Sequence, residues 1–188
     1  MSDQELILLL KKGNEQAFKV LVENWQAMVF NTVLGMIQDV QESEDLSQEV
    51  FIQVFQSMQQ FRGDSKLSTW IYRIAVSKSL DWTRKKKAKK RINIMKSLIG
   101  FGFKDAEPSE FVHPGVLMEN KESAIVLFKA MQLLPENQRV ALTLIKVEGL
   151  SYEEVAAVME LTVKAVEALM HRAKENLRKR LKEYYLKT

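Results

Sequence analysis

The chain has 188 residues, which suits one large domain or two small ones, and its 46% hydrophobic and 28% charged residues exclude a disordered composition. Only seven glycines and three prolines are present, too few for the turns of an all-β fold, so long helices are expected. The net charge is +4, and the absence of cysteine excludes disulfides, thiolate metal sites and cysteine nucleophiles.

The N-terminal segment lacks the pattern of a leader or anchor. The apolar run Leu6 to Leu10 is far shorter than the roughly 20 residues that span a bilayer. It follows Asp3 and Glu5, where a signal peptide would have basic residues. The sequence therefore predicts no membrane insertion and a cytoplasmic location, which the lack of cysteine also suits.

An acidic helix is predicted next. The stretch between Lys19 and Arg62 contains no basic residue. Asp39 followed by Glu42 is typical of a helix start, and the helix is predicted to run to about Gln60. At about 100° per residue its apolar side chains share one side: Leu46, Val50, Phe51, Val54, Phe55 and Met58. Acidic and amide side chains share the other: Glu42, Asp45, Glu49, Gln53, Gln56 and Gln60.

A turn and a second long helix follow. The turn-forming residues of segment 61–65 end the pattern, and a new helix is predicted from about Leu67. Its first half is apolar all round, which is typical of a helix inside a bundle, and its second half carries the basic run RKKKAKKR at 84–91. Aromatic and basic side chains together favour single-stranded nucleic acid, because bases stack on rings while cations hold phosphates. Spacing alone favours the alternative, that Trp70 and Tyr72 are ordinary core residues.

Residues 100–118 have the composition of a linker. This segment, GFGFKDAEPSEFVHPGVLM, holds three of the seven glycines and two of the three prolines. The parts on either side of it have helical periodicity. We therefore expect an all-α chain of two small helical domains joined by a flexible linker, with the divisions 1–91, 92–119 and 120–188.

The C-terminal part has the pattern of a helix-turn-helix. Pro135 suits the first turn of a helix and Gly149 its C-terminal end. The sequence SYEE at 151–154 is a capping box for a short helix, and Thr162 is a suitable N-cap for a long helix reaching about Tyr184. A short helix, a tight turn and a long basic helix favour a helix-turn-helix, with an ordinary αα-hairpin as the alternative.

The long helix is predicted to have one core face and one face that could enter a DNA major groove. The candidate groove-facing residues are Lys164, Glu167, Ala168, His171 and Arg172. Glu167 could accept a hydrogen bond from cytosine, or form an ion pair with His171 or Lys174 one turn or two away. The ion pair is slightly favoured, because residues at this spacing on a helix are within contact distance.

The chain offers little support for catalysis or metal binding. Its two histidines, His113 and His171, are far apart in sequence, and no nucleophile and base pair is evident. No phosphate-binding loop follows the glycines at positions 100 and 102. We therefore expect a binding protein that is not an enzyme and has no metal site and no cofactor.

Two long segments resemble a known family. DVQESEDLSQEVFIQVFQSMQQFRGDSKLSTWIYRIAVSKSLDWTRKK resembles region 2 of bacterial RNA polymerase sigma factors. LPENQRVALTLIKVEGLSYEEVAAVMELTVKAVEALMHRAKENLRKRL resembles region 4. The motifs EDLxQEVF, FRGxS, TWxYRIA and LSYEEVA carry the likeness, and the absence of a domain between the regions is similar to the extracytoplasmic-function (ECF) class.

The resemblance implies a sigma factor that directs promoter recognition and transcription initiation without doing chemistry. Residues 1–91 would bind core RNA polymerase and melt the minus-ten element, and residues 120–188 would bind the minus-thirty-five element as duplex. Core polymerase, promoter DNA in duplex and melted form, and an anti-sigma factor are the implied partners.

The resemblance also assigns residues to three surfaces. Core polymerase would be bound by Asp45, Leu46, Gln48, Glu49 and Phe51. The minus-ten DNA would be contacted by Arg62, Lys66, Ser68, Trp70, Arg73, Ser77, Lys78, Asp81, Arg84 and Lys85, with the loop from Arg62 to Ser68 holding a flipped base. The minus-thirty-five duplex would face Lys164, Glu167, Ala168, His171 and Arg172.

Three departures from the family pattern bear on these assignments. Ser77 stands where the family usually has asparagine, so a base contact there is lost or changed. Glu160 stands where the turn usually has glycine, which implies an uncommon or strained backbone. Glu167 and Leu169 stand where many relatives have basic residues, so promoter preference does not transfer. The alternative function is a stand-alone helix-turn-helix regulator with an N-terminal interaction domain, which would bind DNA without polymerase.

Overall fold

A computed structural model describes the backbone of residues 2–98 and 121–185 and the side chains of residues 2–93 and 125–182. Regular structure within these ranges is helical, as predicted. The α-helices are α1 (Asp3–Lys11), α2 (Glu15–Ile37), α3 (Val40–Ser57), α4 (Leu67–Leu98), α5 (Lys121–Gln132), α6 (Glu136–Lys146), α7 (Tyr152–Met159) and α8 (Val163–Tyr185). The predicted linker at 100–118 lies outside the described residues.

Short-range capping determines where the N-terminal helices begin. The Asn14 side chain accepts a hydrogen bond from the Ala17 N–H at 2.9 Å, and Asp39 accepts one from the Glu42 N–H at 3.2 Å. Each cap satisfies a backbone donor that the first helical turn leaves unpaired. The predicted start of the acidic helix is confirmed. Its last residues, Met58–Gln60, form a 3-10 turn.

Helix α4 lies at the centre of the fold. It begins at Leu67, as predicted, and continues to Leu98, beyond the basic run. Its residues Ile71 and Ala75 are fully buried, where α4 packs with α2 and α3, and α4 also packs against α7. The apolar character around its first half follows from this position, because the helix buries more than one side.

The C-terminal helices end and begin where local chemistry predicts. Gly149 has φ +70°, and across it the Leu150 N–H donates to the Leu144 carbonyl at 3.0 Å, which closes α6. Both hydrogen bonds of the Ser151 and Glu154 capping box are present. The Thr162 hydroxyl accepts from the Ala165 N–H at 3.2 Å and starts α8.

The two halves of the chain lie against each other. Helix α2 packs against α5 and α6, and α4 packs against α7. Buried apolar side chains of both halves form one continuous core. The sequence indicated two helical units but gave no sign of this interface.

Candidate nucleic-acid interface

One stripe of α4 carries half of the predicted minus-ten residues. Trp70, Arg73, Ser77, Asp81 and Arg84 follow one another at spacings of three and four residues, which places them along one side of the helix. Ser77, Asp81 and Arg84 are exposed, and Trp70 and Arg73 are half-buried. A polar track with charges of both signs therefore leads from the buried start of α4 to its exposed basic end.

Trp70 lies where the turn before α4 meets this stripe. Its ring is 5.0 Å from the ring of buried Phe61, at an angle of 40°. It also lines a small surface cleft with Arg62, Asp64 and Arg73. Trp70 thus packs against the core with one part of its ring and reaches a solvent-open cleft with another. It is therefore neither a fully buried core residue nor a fully exposed one.

A groove lies between the acidic helix α3 and helix α4, whose second half is basic. In this groove the Lys78 ammonium lies 3.0 Å from the Glu49 carboxylate. Near it, the Trp82 indole N–H donates to Glu42 at 2.9 Å. The groove is lined by Leu46, Glu49, Gln53, Ile74, Ser77, Lys78, Asp81, Trp82 and Lys85. Residues assigned to polymerase and residues assigned to minus-ten DNA therefore adjoin one another.

The predicted polymerase-binding residues of α3 divide by exposure. Asp45, Gln48 and Glu49 are exposed, whereas Leu46 and Phe51 are buried in the core. Sequence reasoning missed Ile52, which is 54% exposed and lies one and two turns beyond Gln48 and Asp45 on the same face. The sequence feature that could have identified Ile52 is a large apolar residue outside the apolar side of α3.

Phe55 differs from its prediction as a core residue. It is 39% exposed, and its ring meets Phe18 of α2 edge-on with centroids 5.0 Å apart.

The turn between α7 and α8 presents one open face of α8. All five predicted groove-facing residues, Lys164, Glu167, Ala168, His171 and Arg172, are exposed. The opposite face is buried through Val166, Met170 and Ala173. Glu160 in the turn has φ +55°, the left-handed backbone that its replacement of glycine predicted.

The predicted ion pair of Glu167 is wrong. His171 instead lies 3.7 Å from Glu175, one turn further along α8, and Glu167 has no ion-pair partner among the described residues. His171 has carboxylates four residues away in both directions, and the sequence could not show which one it approaches. The Glu167 carboxylate is left free on the groove-facing side.

Three cations of the predicted minus-ten surface pair with acidic residues of the C-terminal half. Lys66 lies 3.7 Å from Glu154. Arg73 lies 3.2 Å from Glu160 and also donates to the Ala157 carbonyl at 2.8 Å. No local pattern indicates these pairs, because their partners are far apart along the chain.

The third pair joins α4 to the first turn of α6. The Arg84 guanidinium donates to Glu136 from two nitrogens, at 2.9 and 3.2 Å. This hydrogen bond holds the pKa of the Glu136 carboxyl below its usual range. The pair also adjoins Asp81, 3.6 Å from Arg84.

A buried carboxyl group lies in the same interface. The Tyr72 hydroxyl donates to Glu148 Oε2 at 3.0 Å, while Glu148 Oε1 is buried without a hydrogen-bond partner. Burial raises the pKa of Glu148 to about 7. Burial raises the pKa of Tyr72, and the negative charge of Glu148 raises it further. Glu148 was missed because nothing in its local sequence shows that α4 covers it.

The described residues provide no cluster of histidine, aspartate and glutamate side chains able to hold a metal ion. In the same part of the chain, no helix has the length and apolar character needed to cross a membrane.

Comparisons with known proteins identify the family. The family model for Sigma-70 region 2 matches residues 21–89, and that for Sigma-70 region 4 matches residues 125–177. The RNA polymerase sigma-H factor of Pseudomonas aeruginosa is 32% identical over 180 residues, covering 95% of this chain and 93% of that protein. The ECF RNA polymerase sigma-E factor of Escherichia coli K12 is 32% identical over 176 residues, covering 93% and 92%.

The fold is also similar to that of a solved sigma factor. RpoE of Bartonella quintana, in a co-crystal structure with the anti-sigma factor NepR, has a TM-score of 0.63 at 20% identity, covering 88% of this chain and 96% of that one. Together with the family matches and the relatives at 32% identity over nearly the whole chain, this shows that the chain belongs to the ECF class of the sigma-70 family of RNA polymerase sigma factors.

Proposed function

We propose that this sigma factor directs core RNA polymerase to promoters through two separate DNA contacts. Residues 1–91 form the unit that binds polymerase and the melted minus-ten strand, residues 120–188 form the unit that binds the minus-thirty-five duplex, and residues 92–119 join them. The observation that carries the proposal is the stripe on α4, where an aromatic residue at a surface cleft is followed by Arg73 and Arg84 and then by the exposed basic run at 84–91.

The acidic face of α3 is the proposed polymerase contact. Exposed Asp45, Gln48 and Glu49 supply charge and hydrogen-bond acceptors, and exposed Ile52 supplies apolar area between them and the end of the helix. An apolar residue surrounded by charges is typical of a protein interface. Leu46 and Phe51 act from the core by fixing the position of α3.

The cleft beside Trp70 is the proposed site for an unpaired base. A base that leaves the duplex loses its stacking at a cost of a few kcal/mol, and contact with an aromatic ring offsets about 1–3 kcal/mol of that loss. Arg62 and Arg73 line the same cleft and can meet the adjacent phosphates. The chain therefore supplies binding energy for strand opening, while polymerase performs the chemistry.

The exposed face of α8 is the proposed reader of the minus-thirty-five duplex. Lys164 and Arg172 can donate to phosphates or guanine, and the unpaired Glu167 can accept a hydrogen bond only, which suits the amino group of cytosine. The free position of Glu167 supports base readout over the ion pair that helical spacing favoured.

The proposal includes a cytoplasmic location and an anti-sigma partner. The RpoE protein of Bartonella quintana was crystallised with an anti-sigma factor. A protein of that kind would have to compete for the surfaces of α3, α4 or α8 described above.

Run-off transcription with purified core polymerase and a promoter library tests the proposal. We expect transcripts that depend on the chain, and fewer of them with Lys85→Glu, which alters the groove between α3 and α4. Lys87→Glu is the matched control, because it makes the same charge change beside a different groove. Equal loss in both variants would show that transcription depends only on the charge of the basic run and would contradict the role of the groove between α3 and α4. Sequence-specific DNA binding without polymerase would favour a stand-alone regulator.

A further inference from the structure

A cavity of about 390 Å³ lies between α4 and α5, beside the junction of α2 and α3. Its volume is within the range of small-molecule binding sites. Asp39 is the acidic residue of its lining, and that carboxylate already caps α3 and lies 3.7 Å from the Lys86 ammonium. The lining also includes four lysines, from two helices: Lys86, Lys87, Lys90 and Lys129.

Three of these lysines have no counter-charge in the cavity. Lys87, Lys90 and Lys129 form no ion pair with any residue in the described part of the chain. The charge of Lys87 reaches Glu136, but that carboxylate is bonded to Arg84. Like charges gathered in a concave site attract an anion. The cavity therefore favours a ligand with several negative charges.

The proposed DNA contact on α4 does not account for these lysines. The stripe from Trp70 to Arg84 follows one side of α4. At 100° per residue, Lys86 and Lys90 lie roughly 140° to 180° around the helix from the middle of that stripe. Lys129 belongs to α5, a different helix. The cavity is thus a separate cationic site behind the stripe.

An aromatic ring and apolar side chains accompany the charges. The Trp82 indole N–H donates to Glu42 at 2.9 Å, and the Lys86 ammonium lies 4.3 Å from the ring centroid, so the ring is held in place. Apolar side chains also line the cavity: Ile37, Ile125 and Phe128. Such a lining suits a flat ring attached to the anionic part of the ligand.

Two side-chain amides in the lining can recognise that ring. The Gln38 nitrogen donates to the Phe128 carbonyl at 2.7 Å, and the Gln132 nitrogen donates to the Ile37 carbonyl at 3.0 Å. These hydrogen bonds fix both amides and leave their oxygens as acceptors. The exocyclic amino group of a nucleobase is a donor that fits an amide oxygen.

We propose that this cavity binds a nucleoside triphosphate. The base lies against Trp82 and the apolar side chains, and the phosphates meet Lys87, Lys90 and Lys129, because a lysine ammonium binds phosphate as a point charge. The ligand bridges α4 and α5. This site is distinct from both proposed DNA contacts and does not depend on them.

Equilibrium dialysis with labelled adenosine triphosphate tests the site on the full chain. We expect Lys90→Ala and Lys129→Ala each to weaken binding about tenfold, because each removes a charge-assisted contact. Lys89→Ala is the matched control, since Lys89 is an exposed neighbour in the same basic run but does not line the cavity. Circular dichroism checks that each variant is folded.

The outcomes separate a built site from general attraction to the basic run. Equal losses in Lys89→Ala and Lys90→Ala, or no loss in Lys129→Ala, would show attraction to the run and overturn the site. No binding by the wild-type chain at low millimolar adenosine triphosphate would overturn it as well.

Inorganic tripolyphosphate, which lacks the nucleoside, tests the assignment of the ligand class. We expect the wild-type chain to bind it about tenfold more weakly than adenosine triphosphate, since contact of a base with an aromatic ring contributes about that factor. Trp82→Ala should bring the two affinities close together. Equal affinity of the wild-type chain for both compounds would refute the nucleoside triphosphate and leave a site for phosphate groups alone.

Discussion

Replacing Glu148 by glutamine should remove a pH-dependent destabilisation of the folded chain. Glu148 accepts a hydrogen bond from Tyr72 with one carboxyl oxygen, and its other oxygen is buried without a partner. A charged carboxylate is unfavourable there, because burial removes water from it. Glutamine keeps an acceptor for the Tyr72 hydroxyl and carries no charge at any pH.

The size of the effect follows from the pKa of Glu148, which is about 7 in the folded chain against an ordinary 4.5. Between these values the folded chain binds more protons than the unfolded chain. The stabilisation from protonation is complete below about pH 4.5 and is lost as the pH rises through 7. A step from about pH 6 to pH 8 changes the folding equilibrium about tenfold, or 1.4 kcal/mol, and partial exposure of Glu148 reduces the expected change to about 1 kcal/mol.

Urea unfolding followed by circular dichroism measures this change. We expect the excess of Glu148→Gln over the wild-type free energy of unfolding to grow by about 1 kcal/mol between about pH 6 and pH 8, and the two to agree only below about pH 4.5. Glu153→Gln, which removes an exposed carboxylate from α7, controls for the change in net charge. Parallel pH curves for Glu148→Gln and wild type would refute the assignment of a perturbed carboxyl group at this interface.

Four further predictions concern the proposed surfaces. Asp45→Lys should weaken retention by core polymerase in a pull-down at physiological salt, while Glu44→Lys, an equal charge change on a neighbouring face, should not; equal effects would remove the acidic face from the interface. Trp70→Ala should keep polymerase binding but reduce permanganate-reactive thymines at the promoter, whereas loss of about 3–5 kcal/mol of stability with normal opening would make it a core residue. Glu160→Gly should raise the free energy of unfolding by up to about 1 kcal/mol, because glycine adopts the left-handed backbone without steric cost, and a decrease in urea unfolding would show that the pair with Arg73 outweighs that cost. Promoter selection with Glu167→Gln should relax preference at one minus-thirty-five base pair by about 1–3 kcal/mol, and an unchanged preference would exclude base readout.

Local chemistry made the helices of this chain predictable. Asp39, Ser151 and Thr162 cap helices with hydrogen bonds to backbone groups three residues away, and Gly149 closes a helix by adopting a positive φ angle. Each depends on a few adjacent residues, which a sequence displays directly. The same holds for Glu160, whose left-handed backbone follows from its place in a tight turn.

Side-chain partners were less predictable, even on a single helix. His171 has carboxylates four residues before and after it, and only the structure shows that it approaches Glu175. Helical spacing defines which residues are within reach, but rotamers and neighbouring helices determine which contact forms.

The sequence by itself determined the helices, the basic run at 84–91, the acidic face of α3 and the exposed face of α8, because periodicity and capping act over a few residues. Only the tertiary structure decided that Gly35 meets Thr143, that Glu148 accepts a hydrogen bond from Tyr72, and that acidic residues of one half pair with cations of the other. These contacts join residues from 52 to 108 positions apart, as in Arg84–Glu136 and Gly35–Thr143. Such pairings depend on how whole helices pack, which no local pattern in a single chain specifies.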